Sequence, residues 1–346
     1  MAACPPDAEH PTRDVIVVGA SMGGVEALRK LLGALPADLP AALFVVLHTA
    51  DHDPGLLARV LGMTSTLPVL TAAEGQRFGP GQVYVAPPDL HLIVGHDHVH
   101  VRRGPRENGS RPAIDPLFRS AAASCTTRVI GVLLTGLLND GTSGLQAIKR
   151  CGGLVLVQDP SDAAYGEMPR SALRHMVVDR VLPLRAIPAA LAELAPQPRP
   201  PAGEVPAEIR AEALIAAQEI RDIHHPEAGP PISPITCPDC HGSLQEIVDG
   251  QLVRYRCHTG HAFTLETLGA LQADAWERAL YSAFRAQQER AMLVGRMADQ
   301  ARAQGGDSSA EQLQQRAQSY EEGAELLRRL IAHGNGRGGA LEEHGT

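Results

Sequence analysis

Aromatic side chains are scarce in this chain: five Phe, five Tyr and one Trp in 346 residues. That scarcity argues against a base-stacking surface for single-stranded nucleic acid. A basic patch is missing too. The formal net charge is −8, with 31 Lys and Arg scattered among 39 Asp and Glu, so nucleic acid is not expected as the main partner. No apolar run approaches the ~20 residues that a bilayer span requires, which argues against membrane insertion. Residues 1–13 have neither the basic start nor the apolar core of a secretory signal and read as a disordered tail. The expected location is the cytoplasm, where thiols stay reduced, so the six cysteines are not expected to build a disulfide framework.

What is present is the composition of a globular protein, 44% hydrophobic and 20% charged, with length for two or three domains. Residues 14–195 alternate strand-like and helix-like segments. Strands are expected at 15–18, 43–47, 83–86, 91–94, 99–102, 129–134 and 154–157, and helices at 25–32, 54–61, 116–125, 143–151, 171–175 and 187–194. Continuous apolar runs between helices predict an α/β fold with a doubly wound, mostly parallel, Rossmann-like sheet. The stretch 83–102, broken by Pro87-Pro88 and Gly95, reads as a small antiparallel insertion.

Nine prolines between 196 and 235 mark a linker, with room for one short helix around 207–223. A Cys/His segment follows at 236–262. Residues 263–334 read as a helical hairpin that breaks at Gly305-Gly306-Asp307, with Ser308-x-x-Glu311 as a capping box for the second helix. Trp276, Leu280 and Phe284 on one helix and Leu326, Leu327 and Leu330 on the other are expected to pack. Residues 335–346 read as a second disordered tail.

The most informative local feature lies at the first strand. Val15-Ile16-Val17-Val18 runs directly into Gly19-Ala20-Ser21-Met22-Gly23-Gly24 and then a helix. Gly19-x-Ser21-x-Gly23 matches a nucleophile elbow, in which small neighbours let a sharp turn push the serine hydroxyl above the sheet edge. A dinucleotide-binding loop occupies the same kind of junction, but Ser21 stands where its middle glycine would be. His48 directly follows the second strand, and Asp140 follows the strand at 129–134 after a short loop. Carboxyl ends of parallel strands share one edge, so a serine, a histidine and an aspartate can meet there. Ser21 would attack an acyl carbon, His48 would shuttle its proton, and Asp140 would fix the imidazole. A ribose-binding acid is expected where His48 stands, which weakens the nucleotide reading. Asp159, after another strand, is a rival for the acid. Asp115, before Pro116, reads as a helix cap. His96, His98 and His100 alternate on one strand face and are a second candidate metal set.

Cys237-x-x-Cys240 and Cys257-x-x-x-His261 have metal-ligand spacing, each half fitting a tight turn. Together they make a closed Cys3His set, the pattern of a structural zinc in a zinc-ribbon-like module rather than a catalytic metal. His258 is a rival fourth ligand. Cys4, Cys125 and Cys151 are expected to be unligated.

Several stretches, in order, resemble the chemotaxis protein-glutamate methylesterase family. Val17-Val18-Gly19-Ala20-Ser21-Met22-Gly23-Gly24 resembles its serine motif and Val46-Leu47-His48 its histidine segment. Arg111-Pro112-Ala113-Ile114-Asp115-Pro116-Leu117-Phe118-Arg119-Ser120-Ala121-Ala122 resembles a further signature. Leu133-Leu134-Thr135-Gly136-Leu137-Leu138-Asn139-Asp140-Gly141 is similar to its aspartate loop, and Gln158-Asp159-Pro160 with Met168-Pro169 to a later one. The resemblance covers residues 14–195. It implies hydrolysis of glutamate methyl esters on the cytoplasmic helices of methylated chemoreceptors, with release of methanol, deamidation of receptor glutamines, and no cofactor for catalysis. Ser21, His48 and Asp140 fall on the family's catalytic residues, which favours Asp140 over Asp159. The family commonly has Thr where Met22 stands and Met-Gly where Leu137-Leu138 stands. These departures motivate a second reading, a non-enzymatic signalling module that keeps the fold. The receiver domain usual in the family is not expected here, since the catalytic domain begins by residue 14. Arg106, Arg111 and Arg119 are expected to dock the substrate, and the hairpin to recruit a receptor, a methyltransferase or a second copy of this chain.

Overall fold

Apolar runs with no polar residue to turn toward water need cover on both faces, and a parallel sheet between helix layers supplies it. The computed structural model of the chain describes residues 11–48, 55–218 and 232–334. Residues 1–10 of the first expected tail and the whole of the second, 335–346, lie outside the described residues, as do 49–54 and 219–231. Two compact units are present, Met1–Leu268 and Gly269–Thr346.

In chain order the first unit runs β1 (Val15–Ala20), α1 (Gly24–Gly33), β2 (Ala42–Leu47), α2 (Leu56–Gly62), β3 (Val69–Thr71), β4 (Gln76–Arg77), β5 (Gln82–Val85), β6 (His91–Val94), β7 (His98–Arg102), α3 (Ile114–Cys125), β8 (Val129–Leu133), α4 (Thr142–Arg150), β9 (Leu154–Gln158), α5 (Glu167–His175), β10 (Arg180–Leu182), α6 (Ile187–Leu194) and α7 (Ala207–Ala216). A four-stranded antiparallel ribbon follows: β11 (Ile232–Thr236), β12 (Ser243–Asp249), β13 (Leu252–Cys257) and β14 (Ala262–Thr264). The helix α8 (Leu265–Ala303) starts here, and α9 (Asp307–Gly334) completes the second unit.

The main sheet has seven parallel strands in the order β10-β9-β8-β1-β2-β5-β3. Alternate residues of each strand feed two cores. Val15, Val17, Phe44 and Val46 face one with α3 and α4, while Ile16, Val18, Leu43 and Val45 face the other with α1 and α6. Each such side chain, fully buried, contributes roughly 1.5–3 kcal/mol of transfer free energy. β1 lies at the centre, β2 on one side and β8 on the other. The chain therefore reverses its direction of winding at β1, the place where open α/β sheets form a crevice.

The expected insertion is smaller than read. β5 joins the parallel sheet between β2 and β3, because Val83, Tyr84 and Val85 are buried on both faces. Only β6, β7 and the two-residue β4 form the separate antiparallel sheet. Residues 12 and 13, read as part of the tail, are tied down: Thr12 bridges to Pro198, and the Arg13 amide donates to the Ala195 carbonyl. In the proline-rich stretch, α7 buries Ile209, Glu212 and Ala213.

The second unit is a two-helix hairpin. Its seam is alanine rather than the expected larger stripe. Ala291 and Ala298 on α8, and Ala310, Ala317 and Ala324 on α9, recur every seven residues and are buried, so the helices approach closely. Trp276, Leu326 and Leu330 are exposed, although Leu280 is buried. The Arg290 guanidinium lies 5.4 Å from the Tyr320 ring centre. α9 begins at Asp307, so Ser308 sits inside its first turn instead of capping it. No helix among the described residues is long and apolar enough to cross a membrane.

Candidate active site and metal cluster

Strand register brings the first two residues together. Ala20 pairs with Leu47, so Ser21 and His48 are the next residues out on adjacent strands. Ser21 sits in a turn too tight for larger neighbours. A Cβ on Gly19 would lie 2.4 Å from Ile114 Cγ2, and one on Gly136 would lie 2.1 Å from Met168 Sδ and 2.9 Å from Ser21 Cβ. Gly23 takes the left-handed backbone (φ 76°) that ends the turn and starts α1. The Ser21 amide donates to the Thr135 carbonyl at 3.0 Å. The Met22 and Gly23 amides have no partner among the described residues.

His48 Nδ1 lies 3.1 Å from Ser21 Oγ, and its Nε2 lies 2.7 Å from Asp140 Oδ2. Asp140, on the loop after β8, is buried, and its other contacts are all donors. Oδ2 also accepts the Ile114 amide (2.7 Å), and Oδ1 accepts the amides of Asp115 (3.2 Å) and Gly141 (3.0 Å) and Nδ2 of Asn108 (2.9 Å). Burial pushes the Asp140 carboxyl up. The hydrogen bond and charge of His48, with the Ile114 amide and Asn108, outweigh it and hold the group at about 2. An ionised carboxylate only accepts, so His48 carries its proton on Nε2 and offers the Nδ1 lone pair to the serine hydroxyl.

Asp159 is elsewhere: half-buried, it accepts the amide and hydroxyl of Ser161. Asp115 is not a cap. It is buried in the first turn of α3, accepts the Gly144 amide at 2.6 Å and Asn108 Nδ2 at 3.1 Å, and its pKa is raised to about 7 by burial and by the facing Asp140. Sequence reasoning missed Asn108, whose single amide group bridges both carboxylates. It also missed His91, buried with Nδ1 accepting the Ala113 amide and Nε2 donating to the Pro105 carbonyl. Asp115 falls on the signature at 111–122 and Asn108 just before it, the one signal that pointed to this loop.

A cleft of about 1000 Å³ opens over Ser21 and His48, lined by Met22, Val25, Leu47, Pro88, Arg103, Arg106 and Arg111 among others. Arg106 and Arg103 are exposed at it, Arg103 paired with Asp89 Oδ2 at 2.9 Å. Arg111 is spent on Asp89 and the Gly104 carbonyl. Arg119 is not at the cleft at all. It is buried on α3, paired with Glu107 and 3.3 Å from Glu212.

Cys237, Cys240, Cys257 and His261 converge, with all ligand atoms within 4.8 Å of one another. The separations are 3.6 Å for Cys240 Sγ to Cys257 Sγ, and 3.5 and 3.7 Å from His261 Nδ1 to the sulfurs of Cys257 and Cys237. A tetrahedron with zinc–ligand bonds of about 2.0–2.3 Å has edges of roughly 3.3–3.8 Å, and these three of its six edges match that ion. Asp239 Oδ2 lies 4.0 Å from His261 Nε2, the kind of partner that orients a ligating imidazole. His258 packs over Gly242 instead. His98 pairs with Asp97 and His100 with Glu74, and they do not converge. Cys125 and Cys151 are buried thiols outside any disulfide, Cys125 donating to the Gly95 carbonyl at 3.5 Å; Cys4 lies outside the described residues.

The family model for CheB methylesterase matches residues 16–191, just over half of the chain. A protein-glutamate methylesterase/protein-glutamine glutaminase 2 of Anaeromyxobacter dehalogenans is 43% identical over 181 residues, 52% of this chain and 53% of that protein. A methylesterase/glutaminase relative from Leptospira interrogans is 39% identical over 175 residues, 50% of this chain and 91% of its own length. The crystal structure of the Thermotoga maritima CheB methylesterase catalytic domain is similar with a TM-score of 0.51 at 34% identity, over 53% of this chain and 98% of that one. The chain spans about half the length of several of the curated relatives it matches, the A. dehalogenans protein among them.

Proposed function

The chain belongs to the CheB methylesterase family, and on that footing we propose that it is a serine hydrolase that removes methyl esters from glutamate side chains of chemoreceptor helices. The observation that carries this reading is the hydrogen-bonded line Ser21–His48–Asp140 at the floor of an open cleft. Ser21 Oγ attacks the ester carbonyl carbon while its proton passes to His48 Nδ1. The tetrahedral oxyanion is met by the Met22 and Gly23 amides at the start of α1. Collapse breaks the bond to the methoxy oxygen, which takes the proton from His48 and leaves as methanol. Water, deprotonated by His48, then attacks the glutamyl-serine ester, and the bond to Ser21 Oγ breaks as His48 returns the proton to it, leaving free glutamate. The same steps on a glutamine release ammonia. Asp140 stays ionised and stabilises the imidazolium.

Arg106, exposed at the cleft, offers a positive group to acidic receptor helices, in a molecule whose overall charge is −8. In this reading the protein works in the cytoplasm. Zinc at Cys237, Cys240, Cys257 and His261 closes its own ligand shell, so it folds the ribbon and takes no part in the chemistry. The hairpin, with Trp276, Leu326 and Leu330 exposed, recruits a protein partner, whether a methyltransferase or a second copy of this chain. Methanol release from methylated chemoreceptor membranes tests the central claim. Ser21→Ala and His48→Ala are each expected to lower turnover by about 10⁴-fold or more. Release that is equal in wild type and Ser21→Ala would sink the reading.

A further inference from the structure

The residues beyond the family match grip the aspartate loop from behind. The chain passes from the ligand His261 into β14, and the backbone one residue on, Ala262, makes two hydrogen bonds with the loop before α3, accepting one and donating the other. Its carbonyl accepts the Asn108 amide at 2.8 Å, and its amide donates to the Arg106 carbonyl at 3.3 Å. Two residues further, the Thr264 amide donates to Asn108 Oδ1 at 3.1 Å. That bond fixes which way the Asn108 amide points, since its Nδ2 must then face Asp140 and Asp115. Asn108 holds this position at φ 50°, a left-handed backbone that side-chain bonding has to sustain.

A second grip falls on Asn139, the neighbour of Asp140. Its Oδ1 accepts the hydroxyls of Thr264 (2.7 Å) and Thr267 (2.9 Å), and its Nδ2 donates to Glu266 at 2.6 Å. The metal turn itself is tied in by Arg256, whose Nη1 donates to the Gly260 carbonyl, between the ligands Cys257 and His261, while its Nη2 pairs with Glu107 and Glu212.

We propose that the Cys3His ribbon is a positioning module for the hydrolase site: metal loading at Cys237, Cys240, Cys257 and His261 fixes β14, and β14 acts through Thr264 and Asn108 to hold Asp140 against His48. Asn108 is a positioning residue, since it meets neither the substrate nor the reacting atoms. The consequence for turnover rests on the esterase reading above; the consequence for geometry does not. Without metal, a ribbon with so small a core loses its order, Thr264 releases Asn108, and Oδ1 of Asp140 loses one of its donors.

The test uses the full chain, zinc-loaded and after chelator dialysis, with zinc content measured in both states. The first readout is the low-field NMR signal of the His48 Nε2 proton shared with Asp140. The second is methanol release, separated into kcat and KM. Metal removal is expected to weaken or abolish the low-field signal and to lower kcat about tenfold with KM unchanged, both restored by added zinc. Asn108→Ala should reproduce the fall in kcat, and metal removal from that variant should add less than about twofold, because both changes break one chain of contacts. A metal-free chain that keeps its signal and kcat overturns the proposal, as do additive effects of the two changes, or a chain that binds no zinc. If methanol release proves independent of Ser21, the esterase reading fails; a metal-dependent signal would still support the coupling, and a metal-independent one would overturn it.

Discussion

Leu138 stands at φ 60°, two residues before Asp140. A side chain with a Cβ occupies that region at a cost of roughly 1–2 kcal/mol, and little repays it here, since Leu138 is exposed and only its amide is held, by Glu167 at 3.0 Å. Leu138→Gly removes the Cβ and gives back part of the gain as chain entropy. It is expected to raise stability by up to about 1 kcal/mol in urea unfolding without loss of activity, while the β-branched Leu138→Val lowers it. A glycine variant less stable than its parent would show that this turn is not strained. The same loop shows what single residues reveal in a sequence. Ser21 and His48 were legible because each ends an unbroken apolar run, and Asp140 because a short loop ties it to another. Asn108 was not legible, because its partners Thr264, Asp115 and Asp140 come from distant segments. Arg119 was misread because arginine usually lies at the surface, and only the fold reveals Glu107 and Glu212 beside it.

At the scale of elements, strands buried on both faces announced themselves, whereas the three-residue edge strands β3 and β10 are too short to show a period. The helical hairpin was legible from composition, but its seam was not. Larger apolar residues drew attention, while the contact is carried by small ones spaced seven apart. Close approach across an alanine seam leaves no volume for a branched side chain. Ala317→Leu, at a position only 2% exposed, is therefore expected to cost about 1–3 kcal/mol and to lower the thermal transition followed by helical circular dichroism. Leu330→Ala, at an exposed position, should leave it nearly unchanged. Equal tolerance at both positions would mean that the alanines do not form the contact.

At the scale of the whole first unit, the family-matched α/β sheet and the ribbon beyond it share one buried ionic cluster. Glu212 on α7 accepts both Arg254 Nη atoms at 2.8 and 2.9 Å and Arg256 Nη2 at 3.1 Å, with Arg119 of α3 beside it. Proline-rich sequence gave α7 the look of a linker, since its partners lie more than forty residues away on either side. Burial pushes the Glu212 carboxyl up, but Arg254, Arg119 and Arg256 together hold it well below the usual carboxylate range. A group held lower in the folded than in the unfolded chain stabilises fully above its unfolded pKa, about 4.3, and that contribution is lost as pH falls through the folded value. Glu212→Gln keeps the shape and removes the charge. It is expected to be less stable than wild type by roughly 3 kcal/mol at pH 7, from breaking a buried ion pair, and the gap should close as pH drops below about 4. Both proteins carry the same Cys/His cluster, so acid release of metal affects them alike and the difference between their urea midpoints isolates Glu212. A gap that stays constant from pH 7 to pH 3 would mean that the Glu212 charge does not hold the ribbon to the catalytic sheet.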